Sequence, residues 1–391
     1  MLEDTFGFVR LTWLLLISAV ILSGCGSTPV NPPAELQDFD PAIDVSKLWS
    51  TGVGDGDDGR NLELQLVSDA DYLYSIDAED LITKLSKEDG DEVWERDYEE
   101  RVIGGLGGDR DFLFYTTFQG ELICVEKETG NSRWRRKLNR EVVAPPSSDG
   151  RTVVVQSISG SLIAYDVSEG NQLWRYDSDG PSLSLRGTSQ VVIDQGQVIN
   201  GFSNGDLMAF DARTGQPMWR QALGEAKGRT ELERLVDIDG TPQIDGDRVY
   251  GVAYQGKVAA IDRRTGAEVW SKPASSYRSI SLGSGKVLVS LEDGVIVALN
   301  QGNGNELWRN EDFLFRRLGA PLIAAGRVFV TDFEGYVHVL GHSDGQIRAR
   351  FKPDSDGLMG NMQAEGNTLY VYTRDGKVMV YRFSDQQDSQ P

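Results

Sequence analysis

The fifteen residues from Gly160 to Trp174, GSLIAYDVSEGNQLW, carry a pattern that recurs along the chain. Its first Gly is followed by an apolar residue at +2, a small one at +4, usually an acidic one at +6, Gly at +10 and Trp at +14. Further copies run over 120–134, 205–219, 256–270 and 294–308. A weaker copy has Ala349 in place of Trp, and another lacks the first Gly and ends at Trp94. Such self-similarity indicates a repeat architecture.

The spacing of the copies predicts a β-propeller. Successive intervals are 40, 40, 45, 51 and 38 residues, between the repeat residues Trp94, Trp134, Trp174, Trp219, Trp270 and Trp308. Periods near forty suit either a four-stranded blade or a helical pair. Segments such as 152–155 and 162–165 are short, β-branched or aromatic, and bounded by Gly, Asp and Ser, which favours strands. We expect each Trp to fill the wedge between adjacent sheets.

Counting strands predicts how the ring closes. The hairpin unit occurs eight times, but a Trp-type strand follows only seven of the eight. The segment Val45–Trp49 near the N-terminus matches the missing strand. We therefore predict an all-β, eight-bladed propeller over residues 44–383, closed by pairing of the N- and C-terminal strands, with 384–391 a disordered tail.

The N-terminus predicts export and lipidation. The apolar run 11–22 ends in Leu22-Ser23-Gly24-Cys25, which resembles the bacterial lipobox. We expect residues 1–24 to be a signal peptide, Cys25 to be lipidated, and 25–43 to be a flexible tether. By resemblance to lipoprotein sorting, Gly26 favours the periplasmic face of the outer membrane in a Gram-negative bacterium. A plain secretory signal or an uncleaved anchor is the alternative, and the n-region is unusually acidic.

Composition and local motifs argue against several functions. The net charge of −21 disfavours nucleic acid and anionic lipid head groups as partners. Cys124 occupies the small-residue position of its repeat, as expected for a buried structural thiol. The GFSNG segment at 201–205 is followed by a strand rather than by the helix of a nucleophile elbow. His338 and His342 lack metal-ligand spacing, and 54–59 lacks the ligands of a calcium loop. The sequence predicts no catalytic, cofactor or metal site.

Two consecutive insertions interrupt the repeat and predict a docking patch. Both follow a Trp strand and precede the next blade, so they emerge on one face of the ring. The first contains Leu183, Leu185 and Arg186, and the second contains Asp237 and Asp239, whose alternation directs both side chains to one side of the docking patch. Apolar anchors, a cation and two carboxylates suit protein docking. The alternative is that these are long loops without a role.

The unit Ala-x-Asp-x-x-Thr-Gly-x-x-x-Trp at 209–219 and 260–270 resembles the repeat of pyrroloquinoline-quinone (PQQ) dehydrogenases and their non-enzymatic relatives. With the lipobox, the blade count and the segments PSLSLRG and RLVDIDGTP, the chain resembles the BamB family of outer-membrane assembly factors. That resemblance implies a non-enzymatic periplasmic scaffold of the β-barrel assembly machinery. It also implies contacts with the POTRA domains of BamA and other subunits, and with unfolded outer-membrane protein clients. The implied BamA contacts are Leu183, Leu185, Arg186, Asp237 and Asp239.

Two alternatives remain open at the level of sequence. One is a PQQ-dependent dehydrogenase, and the other is a lipid-anchored propeller that binds a different ligand. The dehydrogenases typically carry a vicinal cysteine pair with a calcium and catalytic-acid site. This chain has only Cys124 besides Cys25.

Overall fold

Each repeated stretch forms two neighbouring antiparallel strands of a four-stranded sheet in the computed structural model. The structure describes residues 31–60, 62, 64–178, 189–225, 229–230, 235–353 and 357–386. In this part of the chain the strands form eight such sheets, arranged as the blades of a ring. The predicted all-β, eight-bladed propeller is therefore confirmed. No helix among these residues has the length and apolar character needed to cross a membrane.

The first seven blades are each built from four consecutive strands, ordered from the inner to the outer edge of the sheet. Blades 1 and 2 contain β2 (Val67–Ser68), β3 (Tyr72–Ile76), β4 (Leu81–Ser86), β5 (Glu92–Asp97), and β6 (Val102–Gly108), β7 (Phe112–Thr117), β8 (Glu121–Glu126), β9 (Ser132–Lys137). Blades 3 and 4 contain β10 (Ser147–Ser148), β11 (Thr152–Gln156), β12 (Leu162–Asp166), β13 (Gln172–Tyr176), and β14 (Val192–Asp194), β15 (Gln197–Gly201), β16 (Asp206–Asp211), β17 (Pro217–Ala222). Blades 5 and 6 contain β18 (Gln243–Asp245), β19 (Arg248–Val252), β20 (Gly256–Asp262), β21 (Glu268–Ala274), and β22 (Ser281–Gly283), β23 (Lys286–Ser290), β24 (Ile296–Asn300), β25 (Glu306–Asn310). Blade 7 contains β26 (Leu322–Ala324), β27 (Arg327–Thr331), β28 (Val337–Gly341) and β29 (Ile347–Phe351).

The eighth blade is assembled from both ends of the chain. It contains β30 (Leu358–Glu365), β31 (Thr368–Thr373), β32 (Lys377–Asp385) and, as its outer strand, β1 (Ile43–Gly52). β1 pairs antiparallel with β32, from Ile43 opposite Asp385 to Gly52 opposite Lys377. The predicted closure of the ring by its terminal strands is confirmed.

Neighbouring blades are joined by a contact between a Trp and a turn. In each case the indole N–H of an outer-strand Trp donates to a carbonyl oxygen in the turn between the third and fourth strands of the next blade. For Trp134 the acceptor is the Val167 carbonyl, at 2.8 Å. The Gly that ends the same turn, Gly170, has a φ of +70° and lies against the Trp134 ring. Each of the seven tryptophans in the described part of the chain makes this hydrogen bond, at 2.7–3.2 Å: Trp49, Trp94, Trp134, Trp174, Trp219, Trp270 and Trp308.

The boundary between blades 7 and 8 is the exception. Blade 8 has no turn between its third and fourth strands, because β32 and β1 belong to opposite ends of the chain. A Trp in blade 7 would therefore have no turn to contact. Ala349 occupies its position and is buried among Ile43, Tyr381 and Phe383. The departure of this copy from the repeat thus follows from the way the ring closes.

Two predicted boundaries need correction. Residues 34–42 were expected to be part of a flexible tether, but they lie against blade 7: the amide of Ala34 bonds to the Leu314 carbonyl and that of Ala42 to the Arg348 carbonyl. Apolar and arginine side chains at blade 7 hold this segment. Its polar composition is typical of a tether, so the sequence did not predict these contacts. The last strand also continues through Asp385 and so includes the first two residues of the predicted tail, 384 and 385, because they still pair with β1.

Blade 1 contains a buried carboxyl group where most other blades have the hairpin Gly. Asp80 is fully buried with a φ of 78°, and its Oδ2 accepts a hydrogen bond from the Tyr115 hydroxyl at 3.1 Å. Burial raises the pKa of Asp80 to about 7, against the Tyr115 hydrogen bond and with added repulsion from Glu100, Asp97 and Asp77. The protonated carboxyl is therefore the form that this site favours.

The turn contact predicts a graded effect of substituting glycines. Gly170→Ala would place a Cβ 2.6 Å from the Trp134 ring, whereas nothing lies within 4 Å of the same atom at Gly150, whose φ of +85° is similar. We expect Gly150→Ala to lower the free energy of unfolding by about 1–2 kcal/mol, the cost of a left-handed Ala. Gly170→Ala should cost about 1–3 kcal/mol more, because of overpacking. Urea denaturation of both variants measures this difference, and equal losses would contradict the contact.

Asp80 predicts a pH-dependent stability. Between an unfolded-state pKa of about 4 and the folded value of about 7, the folded state binds the extra proton. The free energy of unfolding therefore falls as pH rises through this range and levels off above it. Asp80→Asn, which tolerates positive φ and does not titrate, should gain about 2–3 kcal/mol over the parent between pH 5 and pH 8. Urea denaturation at several pH values tests this, and a constant difference would show that Asp80 is already ionised when folded.

Candidate docking face

The turns between second and third strands and the connections between blades open on the same face of the ring, here called the loop face. In antiparallel blades the fourth strand ends beside the turn that joins the second and third. The hydrogen bond from the Leu223 amide to the Gly205 carbonyl, at 2.8 Å, shows this arrangement in blade 4. Both insertions leave the ring on this face, one between β13 and β14 and the other between β17 and β18.

The first insertion is described only at its two ends. Leu183, Leu185 and Arg186 lie outside the described residues, as does the predicted lipidation site Cys25. Before the insertion, Asp177 accepts a hydrogen bond from the Ser161 hydroxyl at 2.6 Å. The side-chain hydrogen bonds from Ser161 and Arg175 lower the pKa of Asp177. The departing chain is thereby held against the hairpin turn of blade 3.

The two insertions meet where the chain returns to the ring. After the first insertion, the buried hydroxyl of Ser189 donates to the Gly240 carbonyl, at the end of the second, at 3.3 Å. The amide of Thr241, the next residue, donates to the Ser279 hydroxyl at 3.0 Å. A single region of the loop face, around blades 4 to 6, therefore contains the ends of both inserted segments.

Residues 235–240 of the second insertion lie along the ring rather than projecting from it. Ile238 is fully buried in the core cluster that includes Leu223 and Ala253. Between Val236 and Ile238, Asp237 forms an antiparallel bridge with Tyr254, whose amide donates to the Asp237 carbonyl at 2.8 Å. Apolar side chains on both sides of Asp237 thus fix the backbone of the segment.

The two predicted aspartates differ in their exposure. Asp237 is only 2% exposed, whereas Asp239 is half-buried. The expectation that both side chains lie on one exposed side is therefore wrong for Asp237. Alternation along a strand predicts opposite directions for neighbouring residues, but it does not predict which direction leads to solvent when the segment lies in a groove.

Three side chains that the sequence analysis did not identify lie beside this segment. The rings of Tyr254 and Tyr277 are 6.5 Å apart, and the Arg278 guanidinium lies 4.9 Å from the Tyr277 ring. All three side chains are partly exposed. Tyrosine and arginine are, with tryptophan, the residue types enriched at the energetic hot spots of protein interfaces. Together with the half-buried Asp239, these three side chains therefore give the site the composition of a recognition surface.

A signal for such residues was present in the repeat. Tyr254 stands two residues before the hairpin Gly256, at the tip of a loop-face turn. The equivalent positions of other blades carry Phe118, Ile158 and Phe333, which are 71%, 43% and 49% exposed. Aligning the copies would have shown that several blades carry an exposed or partly exposed apolar or aromatic residue at this turn position.

The other motifs singled out in the sequence lie in turns, in the core or in hydrogen-bonded networks of the ring. The GFSNG segment at 201–205 joins strand β15 to strand β16, so it is a hairpin turn. Cys124 is fully buried, and burial raises the pKa of its thiol. His338 uses both ring nitrogens, with Asp332 at 2.9 Å and Arg350 at 3.3 Å. His342 points elsewhere, with its Nδ1 3.4 Å from the Lys286 ammonium.

Known proteins resemble this chain in sequence and in fold. The family model for outer membrane protein assembly factor BamB matches residues 78–293 and 292–388. The protein of that name from Pseudomonas aeruginosa is 46% identical over 369 residues, which cover 94% of this chain and 97% of that protein. BamB from Moraxella catarrhalis superposes with a TM-score of 0.79 at 29% identity, over 86% of this chain and 99% of that one. Quinohemoprotein alcohol dehydrogenase from Comamonas testosteroni gives a TM-score of 0.69 over 87% and 76% of the chains, and its 12% identity shows a common fold alone.

The family model and the Pseudomonas relative each cover most of the chain. This chain belongs to the family of outer membrane protein assembly factor BamB.

Proposed function

We propose that this protein is a non-enzymatic scaffold of the β-barrel assembly machinery, which assists the folding and insertion of outer-membrane proteins. Membership of the BamB family supports the assembly role. The observation that carries the scaffold role is the meeting of the two insertions at Ser189 and Gly240. It concentrates both interruptions of the repeat in one region of a rigid ring, where loops commonly bind partners.

The partner that this region suits best is the POTRA-domain portion of BamA. In this proposal Leu183, Leu185 and Arg186 supply apolar and cationic contacts from the first insertion. Asp239 supplies a carboxylate at the edge of the second. Asp237 acts differently: with its backbone bridged to Tyr254 and its side chain buried, it holds the second segment in place for docking.

The aromatic and cationic side chains beside the second insertion extend the proposed contact surface. Tyr254, Tyr277 and Arg278 form a continuous series of ring and cation contacts. Such side chains lose little conformational freedom when they are buried by a partner, since the tyrosines have only two side-chain torsions. We assign them to the same docking region as Asp239.

Attachment to the membrane through a lipid on Cys25 completes the proposal. The protein would then lie on the periplasmic face of the outer membrane, beside the other subunits and the unfolded clients. The acidic ring surface, with a net charge of −21 for the whole chain, would keep it from adhering to anionic head groups. Membrane contact is therefore assigned to the lipid anchor.

Binding measurements with purified BamA POTRA domains test the docking region. Leu185→Glu combined with Arg186→Glu should reduce affinity at least a hundredfold, because it replaces an apolar anchor and a cation with carboxylates. Tyr254→Ala should reduce affinity about tenfold, the loss typical of an interface tyrosine. Surface plasmon resonance on the full chain gives both values.

Matched controls change comparable side chains on blades outside the docking region. Phe333→Ala changes an exposed aromatic at the same turn position in blade 7, and it should leave affinity unchanged. Lys47→Glu combined with Leu48→Glu makes the same kinds of replacement at an exposed pair on the outer strand of blade 8, with the same expectation. If the insertion variants bind as well as these controls, the docking region lies elsewhere.

The main alternative is a PQQ-dependent alcohol dehydrogenase. The shared fold with the Comamonas enzyme keeps this alternative testable, although its 12% identity does not support a shared activity. By resemblance, the dehydrogenases carry adjacent cysteines beside the quinone. The only cysteine here besides Cys25 is Cys124, which is buried in the core between blades 2 and 3.

We expect no quinone-dependent turnover from this protein. Incubation of the full chain with PQQ and calcium, followed by alcohol oxidation with an artificial electron acceptor, should give rates equal to those without protein. The assay requires a parallel sample of an active quinoprotein dehydrogenase as the positive control. Turnover that depends on this chain and on bound PQQ would replace the scaffold proposal with the enzyme.

A further inference from the structure

The N-terminal strap, residues 34–42, is attached to the ring at both ends. The Ala34 amide donates to the Leu314 carbonyl and the Ala42 amide to the Arg348 carbonyl, both at 2.8 Å. Between them Leu36 packs against the core cluster at the boundary of blades 6 and 7. The strap therefore crosses the outer edge of blade 7 from the loop face to the opposite face.

Two arginines of the ring hold the strap. Arg350 donates from Nη2 to the Gln37 carbonyl at 3.1 Å, and its guanidinium lies 5.1 Å from the Phe39 ring. Arg316 donates from Nη1 to the Ala34 carbonyl at 2.9 Å. Most of the strap's side-chain attachment thus depends on the positions of these two guanidinium groups.

The same two arginines enclose a buried histidine. Arg350 donates from Nε to His338 Nδ1 at 3.3 Å, so that Nδ1 must present a lone pair. His338 therefore carries its proton on Nε2 and donates to Asp332 Oδ2 at 2.9 Å. Arg316 contacts the same carboxylate oxygen at 2.7 Å. This network requires a neutral imidazole.

The charged and titratable groups near His338 in the described part of the chain act on its protonation in both directions. They come from the β27–β28 turn, strand β29 and the connection between blades 6 and 7, and Asp38 of the strap acts on Arg350: Asp332, Glu334, Tyr336, Arg350, Arg316 and Asp38. Burial, with the Arg350 and Arg316 cations, lowers the pKa of His338 from its usual 6.5, although Asp332 opposes the shift. Burial would raise the pKa of Asp332, but hydrogen bonds from His338 and Arg316 hold it below its usual value.

We propose that the strap is a pH-dependent latch, which stays docked on blade 7 while His338 is neutral and is released when His338 becomes protonated. A proton on Nδ1 would face the Nε–H of Arg350, with two donors and two positive charges in contact. Arg350 must then move away, and its bonds to Gln37 and Phe39 are lost with it. Because one guanidinium makes both sets of contacts, the state of the imidazole is coupled to that of the strap.

The pH range of release follows from the sign of the linkage. With the strap released, Arg350 is free to move away from Nδ1, so the pKa of His338 is higher than in the docked state, where the Arg350 cation helps to lower it. The released state therefore binds more protons at pH values between the two pKa values, and docking weakens as pH falls through that range. Each pH unit within the range shifts the docking equilibrium up to about tenfold.

Release would change the attachment of the ring in two ways. Nine residues would become available to extend the N-terminal connection, by up to about 30 Å at 3.3–3.6 Å per residue. The outer strand of blade 7 would also lose its covering. This inference does not depend on the proposed docking function, because it concerns only the strap and blade 7.

Hydrogen exchange of the full chain, measured by mass spectrometry, tests the latch. Protection factors, which divide out the intrinsic pH dependence of exchange, should fall up to about tenfold for peptides covering residues 34–42 between pH 7.5 and 5.5. The strands of blade 7 serve as an internal reference and should stay protected. Unchanged strap protection over this range would overturn the proposal.

Variants identify the group responsible. His338→Gln can still donate to Asp332 but cannot gain a proton, so its strap should stay protected at both pH values. Arg350→Met should lose protection at both, whereas Arg309→Met, at the equivalent position of blade 6, should behave like the parent. A pH response in His338→Gln as large as that of the parent would contradict the assignment.

A second measurement covers the case in which His338→Gln does not fold. The chain contains two histidines, so the imidazole NMR signals of the parent can be assigned with His342→Gln. The titration midpoint of His338 should coincide with the midpoint of strap release. Protonation of His338 while the strap keeps its protection would overturn the proposal without any change at position 338.

Discussion

The contact between a Trp of one blade and a turn of the next is the interaction on which the ring depends. A single four-stranded blade leaves both faces of its sheet apolar, so it gains most of its burial from its neighbours. The indole supplies a large apolar surface together with one donor, and the turn supplies a carbonyl acceptor and a Gly that admits the ring. Trp134 on Val167 and Gly170 shows both halves of this contact. Gly and Trp recur at a fixed spacing because every such contact requires this same geometry.

The missing Trp at position 349 extends the same argument. The repeat Trp is present wherever the next blade has a turn between its third and fourth strands. Blade 8 has no such turn, because these two strands come from opposite ends of the chain. That boundary is stabilised instead by the register of β1 on β32 and by the Tyr381 and Phe383 side chains. The N-terminal strap lies on the outer edge of the same blade 7. The one boundary that departs from the repeat is therefore also the place where the chain enters the ring.

Much of the fold could be predicted because each blade repeats the same local constraints. The hairpin Gly, the strand alternation and the Trp spacing indicate strands and blade number without any long-range information. The docking region was harder to predict from the sequence, because the burial of Asp237 depends on how residues 235–240 lie over blades 4 and 5. The strap was also missed, because only Leu36 and Phe39 distinguish it from a polar tether, and the arginines that hold it are about three hundred residues away. Insertions reveal where the repeat is interrupted, but they do not reveal which side chains remain exposed.

Closure of the ring and docking of the strap are adjacent but separable. Pairing of β1 with β32 begins at Ile43 opposite Asp385 and continues to Gly52, while the strap ends at Ala42. Most of the bonds that hold the strap come from Arg316, Arg348, Leu314 and Arg350, outside blade 8, and one comes from the Gln386 amide, just after β32, which donates to the Ala42 carbonyl at 3.2 Å. Release of the strap therefore leaves the pairing of β1 with β32 from Ile43 to Gly52 intact and costs blade 8 only the Gln386 bond. A ring built in this way can lengthen its N-terminal connection while its eight blades stay closed.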